Sequence, residues 1–310
     1  MLAILKTTPT GLERLEELEP GSWIDLVDPT PEELDRVSRE LVIPLELLRG
    51  PLDEEEKSRI DVEDGLTHVI VDIPVLVRED DQQGYETIPL GILIHPDYVI
   101  TTCLRPNPIL GEFEHGVVRT FATFWKTRFL LQILKRVAAF YVRYLFRIDR
   151  ETDKVERELR ASMKNAEIFD LLSIQKSLVY FTTSLRSNEG VLAKLPRVKT
   201  IKMYEEDEDL LEDVLVETRQ ASEMAKIYTD ILTGMMDAFT SVISNNLNRV
   251  MKLLTSLTII LGIPTIVFSF WGQNVGLPFE DYAWAFPVTI AVAFGLSATM
   301  AVVFWRKRFF

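Results

Sequence analysis

The chain is poor in the residues on which disulfide scaffolds, metal centres and covalent catalysis depend. One of its 310 residues is cysteine. That residue, Cys103, excludes an intrachain disulfide and suits a reducing compartment. The three histidines, His68, His95 and His115, are scattered, with no second histidine or cysteine at ligand spacing, so no zinc-type centre is expected. Gly84 and Gly91 open no phosphate-binding loop, and no motif sets a nucleophile beside a base, so no enzymatic activity is expected. Basic residues are outnumbered, 34 Lys and Arg against 47 Asp and Glu, for a net charge of −13. That balance argues against a nucleic-acid partner and is compatible with cation handling. Residues 1–6 lack a basic region leading into an apolar stretch, so no signal peptide is expected. No internal repeat or low-complexity tract is visible.

Two further absences organise the C-terminal half. Proline is missing between Pro196 and Pro264, and only Gly234 and Gly262 interrupt good helix formers there. A single helix over about residues 206–271 would be on the order of 100 Å long. A lone helix of that length has too little to pack against, which suits a stalk in an oligomer. Charge is missing from residues 253–271 and again from 283–305. Each run is about 20 residues, which at about 1.5 Å per residue spans a hydrocarbon core of about 30 Å. A short loop joins them, so the pattern predicts a membrane helical hairpin. Arg249 and Lys252 precede the first run and Arg306, Lys307 and Arg308 follow the second, whereas residues 272–282 hold no Lys or Arg but do hold Glu280 and Asp281. By the positive-inside rule both termini face the cytoplasm and the loop faces out.

The first 105 residues read as mixed α/β. Residues 22–27 predict a strand. A helix starts at Thr30, with Pro31 in its first position and Glu33 closing a capping box. Residues 59–62, 66–77, 85–95 and 98–103 predict strands, with a turn at 80–84. From about Phe121 the period changes. Leu130, Ile133, Leu134, Val137, Tyr141, Tyr144, Leu145 and Ile148 recur at three and four residues and predict an amphipathic helix. A second helix is expected over about 166–188, ending before Gly190, and a third from Glu205. Phe140, Tyr141, Tyr144 and Phe146 are assigned to core packing. The expected segments are an α/β cytoplasmic domain (1–120), a cytoplasmic helical hairpin (121–204), a stalk helix (205–250), a first membrane helix (251–271), an external loop (272–282), a second membrane helix (283–305) and a basic cytoplasmic tail (306–310).

The first apolar run is the more polar of the two, with Thr255, Ser256, Thr258, Gly262, Thr265 and Ser269, residue types found at helix contacts or facing water. Asn248, Met251, Leu254 (or Thr255), Thr258, Gly262, Thr265 and Ser269 recur at about 3.5 residues and fall on one face. Such a face is either a helix–helix seam or the lining of a pore.

The sequence 250–255 (Val-Met-Lys-Leu-Leu-Thr), then Pro264-Thr265, then Gly272-Gln273-Asn274, resembles the first membrane helix of the CorA family of divalent metal-ion transporters, which ends in Gly-Met-Asn. The order of segments is also similar to CorA. The resemblance implies a homopentamer with a funnel-shaped cytoplasmic part, five copies of the first span lining a pore and the second span forming an outer ring toward lipid. It implies pore positions at Asn248, Met251, Leu254, Gly262 and Thr265, and a selectivity filter at Gly272, Gln273 and Asn274. In that setting an uncharged pore suits Mg²⁺, which gives up its water reluctantly. Amide oxygens at Asn274 and carbonyls near Gly272 would hydrogen-bond the water shell, with the negative end of the helix behind them. Met251 and Leu254 would form an apolar constriction closing by dewetting. Glu280 and Asp281 would concentrate cations outside or serve as ordinary loop acids. Gln273 departs from the family's methionine, which leaves Co²⁺, Ni²⁺ and Zn²⁺, and export, open beside Mg²⁺ uptake.

The family also binds regulatory Mg²⁺ at cytoplasmic carboxylates between subunits. The resemblance puts Asp213, behind the acid run 205–209, on one such position. The partner position falls on Arg49, with residues 53–56 as alternative acids; a fixed cation there would stand in for the metal. The competing class is a membrane-anchored scaffold or sensor that keeps the hairpin but conducts nothing.

Overall fold

The structure, a computed structural model, describes residues 1–79, 82–118, 120–162, 165–273, 275–276, 282–307 and 309. It divides into two units, Met1–Thr233 and Gly234–Phe310.

The first unit is built on a seven-stranded sheet: β1 (Leu2–Thr8), β2 (Gly11–Leu15), β3 (Trp23–Val27), β4 (Arg59–Glu63), β5 (Leu66–Glu79), β6 (Gln82–Ile94) and β7 (Val99–Cys103). Their order is β2-β1-β3-β7-β6-β5-β4. Only β3 and β7 run parallel, with Trp23 opposite Val99. Alternation along β3 sends its side chains to two different cores. Ile24 and Leu26 join Leu34, Val37 and Leu41 of α1 (Pro31–Leu41) and Leu48 of α2 (Leu45–Arg49). Trp23 turns to the other face, where its ring meets Phe129 edge-on at 5.2 Å. Phe129 belongs to α4 (Lys126–Ser162) and Phe113 to α3 (Pro108–Glu114). With α5 (Asn165–Leu192) these helices cover that face.

Local chemistry explains where the elements begin. Thr30 is the N-cap of α1 and forms the full capping box with Glu33, Pro31 following it. Glu33 also accepts from the Leu2 backbone N–H at 2.9 Å, tying the helix start to β1. The eight apolar positions expected on the face of α4 are all buried. Phe146, expected in the core, is instead exposed, because it points off that stripe.

Other expectations shift as well. β1 and β2 were not foreseen; their pattern is short, and β2 lies at the sheet edge with mostly exposed side chains. β6 already begins at Gln82, so residues 82–84, expected in a turn over 80–84, belong to the strand; residues 80 and 81 lie outside the described residues. Helix α5 does not stop before Gly190 but continues to Leu192. A mid-helix glycine costs about 1 kcal/mol, which packing offsets here. Val191 and Leu192 are buried. Asn188 clamps the helix to β5, accepting from the Asp72 N–H at 2.9 Å and donating to its carbonyl at 2.8 Å. Tyr141 donates to the same carbonyl at 3.0 Å.

Gly91 of β6 permits a close approach. A Cβ there would lie 2.2 Å from Pro51 Cγ and 3.2 Å from His68 Nε2. Both neighbours are fixed in the core. Gly91→Ala is therefore expected to destabilise the first unit by about 1–3 kcal/mol, as overpacking does, measured as a lower urea midpoint by tryptophan fluorescence.

Two buried titratable groups act in opposite directions. Burial depresses His68 to a pKa of about 4. The fold favours its neutral ring, so stability falls as pH drops from about 6.5 toward 4, by about 3 kcal/mol in all. Burial raises Asp25 to about 7, although Thr101 Oγ1 donates to it at 2.6 Å. The fold favours the protonated acid, so its contribution is full below pH 4 and is lost as pH rises through 7. Thermal melts should show Asp25→Asn more stable than the unmodified chain at pH 8 and the two alike at pH 4; the reverse order would refute this account.

Candidate functional site: the face of the first membrane helix

Helix α6 runs unbroken over Glu205–Trp271, through Pro264, and α7 covers Ala285–Arg306. Both are long and apolar enough to cross a membrane. The helix start is set by acids: Glu205, Glu206, Asp207 and Glu208 fill the first turn, where the dipole favours them. Asp207 also accepts from the Tyr204 N–H at 3.2 Å and pairs with Arg128 at 3.3 Å, while Arg128 bonds Glu206 as well.

Within the second unit, α6 and α7 pack along one face of each. On α7 the buried positions are Thr289, Ala293 and Ser297, one every fourth residue. On α6, Ser256 is buried and Ile260, Ile263, Pro264, Val267 and Trp271 are half-buried. Spacings of three and four make this a single stripe. The small residues of α7 let the backbones approach, as in membrane bundles generally. The second span was expected to be a plain apolar helix; its small residues at every fourth position were the available signal.

The expected pore residues lie elsewhere on α6. Asn248, Met251, Leu254, Thr255, Thr258, Thr265 and Ser269 are exposed, and Gly262 is half-buried. At about 100° per residue this stripe is centred about 180° around the helix from the α7 contact. Its hydroxyls are anchored to the helix itself. Thr258 donates to the Leu254 carbonyl at 2.9 Å and Thr265 to the Leu261 carbonyl at 3.3 Å. Each hydroxyl hydrogen is thereby used, and the oxygen lone pairs remain as acceptors on that face. No acid or base stands among residues 253–271. At the entry to this run, Lys252 Nζ lies 5.9 Å over the Phe309 ring.

At the far end, Gly272 N–H donates to Phe268 O at 2.9 Å, continuing the helical ladder. Gly272 is not among the glycines with positive φ. The only close contacts a Cβ there would make are with the carbonyls of the preceding turn, Phe268 O at 3.2 Å first, as any helical residue does, so neither a left-handed turn nor a packing clash requires glycine here. Gln273 is exposed. Asn274, Glu280 and Asp281 lie outside the described residues.

In the first unit, Asp213 bonds Lys135 Nζ of α4 at 2.9 Å, and Glu217, one turn further along α6, lies 4.0 Å from the same ammonium. Partial burial raises the Glu217 pKa, against the pull of Lys135. Arg49 is exposed at the end of α2. Of the alternative acids, Glu54 pairs with Arg105 at 2.6 Å and Glu56 with Arg59. Among the described residues no group of three or more His, Cys, Asp or Glu side chains is placed to hold a metal ion. Lys135, distant in sequence, is a cation beside Asp213 within the chain that no local signal marks.

An α/β unit joined through one long helix to a two-helix apolar hairpin, with an uncharged hydroxyl-bearing face, defines a membrane protein of the two-span ion-transport class. The profile of the CorA-like Mg²⁺ transporter protein family matches residues 20–308, and the chain belongs to that family. Over 295 residues the chain is 28% identical to the cobalt/magnesium transport protein CorA of Methanocaldococcus jannaschii, covering 92% of this chain and 90% of the relative. It is 27% identical over 198 residues to the protein of the same name from Thermotoga maritima, 64% of this chain and 55% of the relative. The complete structure of the CorA magnesium transporter from M. jannaschii superposes with a TM-score of 0.85 at 26% identity, covering 99% of this chain and 98% of that one. Membership makes the chain a membrane transport protein for divalent cations and not an enzyme.

Proposed function

We propose that the chain forms a homopentameric channel that takes up Mg²⁺ in its hydrated form, with both termini in the cytoplasm. The observation that carries this reading is the separation of two faces on α6. One face is occupied by α7; the opposite one carries Thr258, Gly262, Thr265 and Ser269 and meets no partner helix among the described residues. A hairpin serving only as an anchor has no use for that second face. Val242, Ile243, Leu247 and Val250 are likewise exposed just before the span, an apolar surface that further copies of α6 would cover. Five such helices around an axis place hydroxyl oxygens and, at the mouth, the Gly272-Gln273-Asn274 amides toward a central file of water.

Each part then has a role. Hydroxyl and amide oxygens accept hydrogen bonds from the ion's water shell, so Mg²⁺ need not be stripped. Asn248 and Thr265 supply polar rings, and Met251 and Leu254 an apolar constriction between them. Glu280 and Asp281 raise the cation concentration outside. The basic residues Arg249, Lys252, Arg306 and Lys307 hold the cytoplasmic ends inside. A doubly charged ion gains about 4.6 kcal/mol per 100 mV of inward-negative potential, enough to drive uptake. Co²⁺ is the second candidate ion, because the M. jannaschii relative carries cobalt in its name and Gln273 alters the middle of the filter. Magnesium-sensitive dye flux into proteoliposomes tests the reading. Asn274→Ala should lower Mg²⁺ flux roughly tenfold, the worth of a hydrogen bond to a charged group; unchanged flux would remove Asn274 from the filter.

Regulation at Asp213 is proposed in altered form. Lys135 already meets the charges of Asp213 and Glu217, so a regulatory Mg²⁺ there has to compete with a tethered ammonium. Lys135→Ala should leave two carboxylates one turn apart and make the protein newly responsive to Mg²⁺. Added Mg²⁺ is expected to raise the melting temperature of Lys135→Ala more than that of the unmodified chain. Equal responses would separate Asp213 from any metal.

A further inference from the structure

Pro264 breaks the hydrogen-bond ladder of α6 at a definite atom. In an α-helix the carbonyl of residue 260 accepts from the N–H of residue 264, and proline has none. The Ile260 carbonyl is therefore left open inside an apolar span, where an unsatisfied backbone group costs several kcal/mol. The proline ring also crowds that carbonyl and tilts it outward.

The neighbouring helix supplies the missing donor. Ser297 Oγ lies 3.3 Å from Ile260 O and 3.0 Å from its own Ala293 O. The serine is buried against α6. Of the three buried small residues on α7, Thr289 bonds its own helix, at Ala285 O, and Ala293 has no hydroxyl. Ser256, the buried hydroxyl of α6 on the same face, is spent on Lys252 O at 2.7 Å. Ser297 has a single hydrogen, which it shares between the two carbonyls in a three-centre bond, and of these side chains it is the one that reaches across to the open carbonyl.

We propose that Ser297 is a positioning residue for transport. Its hydroxyl holds the carbonyl that Pro264 vacates and so sets the direction in which residues 264–271 leave the proline. Those residues carry Thr265 and Ser269 and lead into Gly272, so the aim of this outer segment fixes where the hydroxyl ring and the mouth stand. The transport consequence rests on the channel reading above; the hydrogen bond itself does not.

The test is a double-mutant cycle on the full-length protein with two readouts, Mg²⁺ flux in proteoliposomes and melting temperature in lipid nanodiscs. Ser297→Ala is expected to lower flux roughly threefold, the mean worth of an interhelical hydrogen bond in a membrane protein, while Ser297→Thr keeps the hydroxyl and restores it. In a Pro264→Ala background residue 264 regains its N–H, the Ile260 carbonyl is satisfied within its own helix, and Ser297→Ala should change neither readout. A merely space-filling serine predicts the same change in both backgrounds, and that result would overturn the proposal, as would no change in either. If the unmodified protein carries no Mg²⁺, the channel reading fails on its own. The cycle is then decided on melting temperature: a drop seen with Pro264 and absent with alanine there supports the latch, and equal drops refute it.

Discussion

A backbone carbonyl surrounded by hydrocarbon must find a donor, and in this chain that requirement ties the membrane helices together. Helix α6 carries a proline in mid-span, which would be costly in an isolated helix. The cost is met by a serine on α7 that reaches the open carbonyl. The small residues spaced by four along α7 bring the two backbones close enough for that bond. Once α7 is committed to this face, the opposite face of α6 is left with its hydroxyls outward. The division between a packing face and a hydroxyl-bearing face follows from where the proline and the small residues stand.

The polar side owes its character to restraint. It carries oxygen acceptors and no charge, which in the proposed channel would give a hydrated divalent ion hydrogen bonds without a site deep enough to trap it. Charge is kept to the two ends of the apolar spans and to the first unit. There three acids of α6 are engaged: Arg128 takes Glu206 and Asp207, and Lys135 takes Asp213. Among the described residues the excess of acids does not gather into a ready-made metal site.

Local signals were legible wherever the physics is local. The capping box at Thr30 and Glu33, the buried stripe of α4, the strands β3 to β7 and the reach of α6 follow from residue type and period alone. β2 is hidden because a short edge strand with exposed side chains has a weak alternation, and β1 because its buried run of Ala3, Ile4 and Leu5 does not alternate. The end of α5 was misread because Gly190 is a local stop signal, whereas Asn188 gripping Asp72 is a contact across 116 residues. Phe146 was placed inside by kinship with its aromatic neighbours, although its angular position sends it out.

The candidate site divides the same way. The sequence by itself determined that two spans exist, which end of each is basic, and that the first bears an uncharged polar stripe, because hydropathy, charge and period are properties of consecutive residues. Only the tertiary structure decided which face of α6 takes α7, that Ser297 reaches the Ile260 carbonyl, and that Lys135 faces Asp213 within the chain. The Ser297–Ile260 bond spans 37 positions and the Lys135–Asp213 pair 78. Such pairings are selected by how helices pack, and no window along the chain contains both partners.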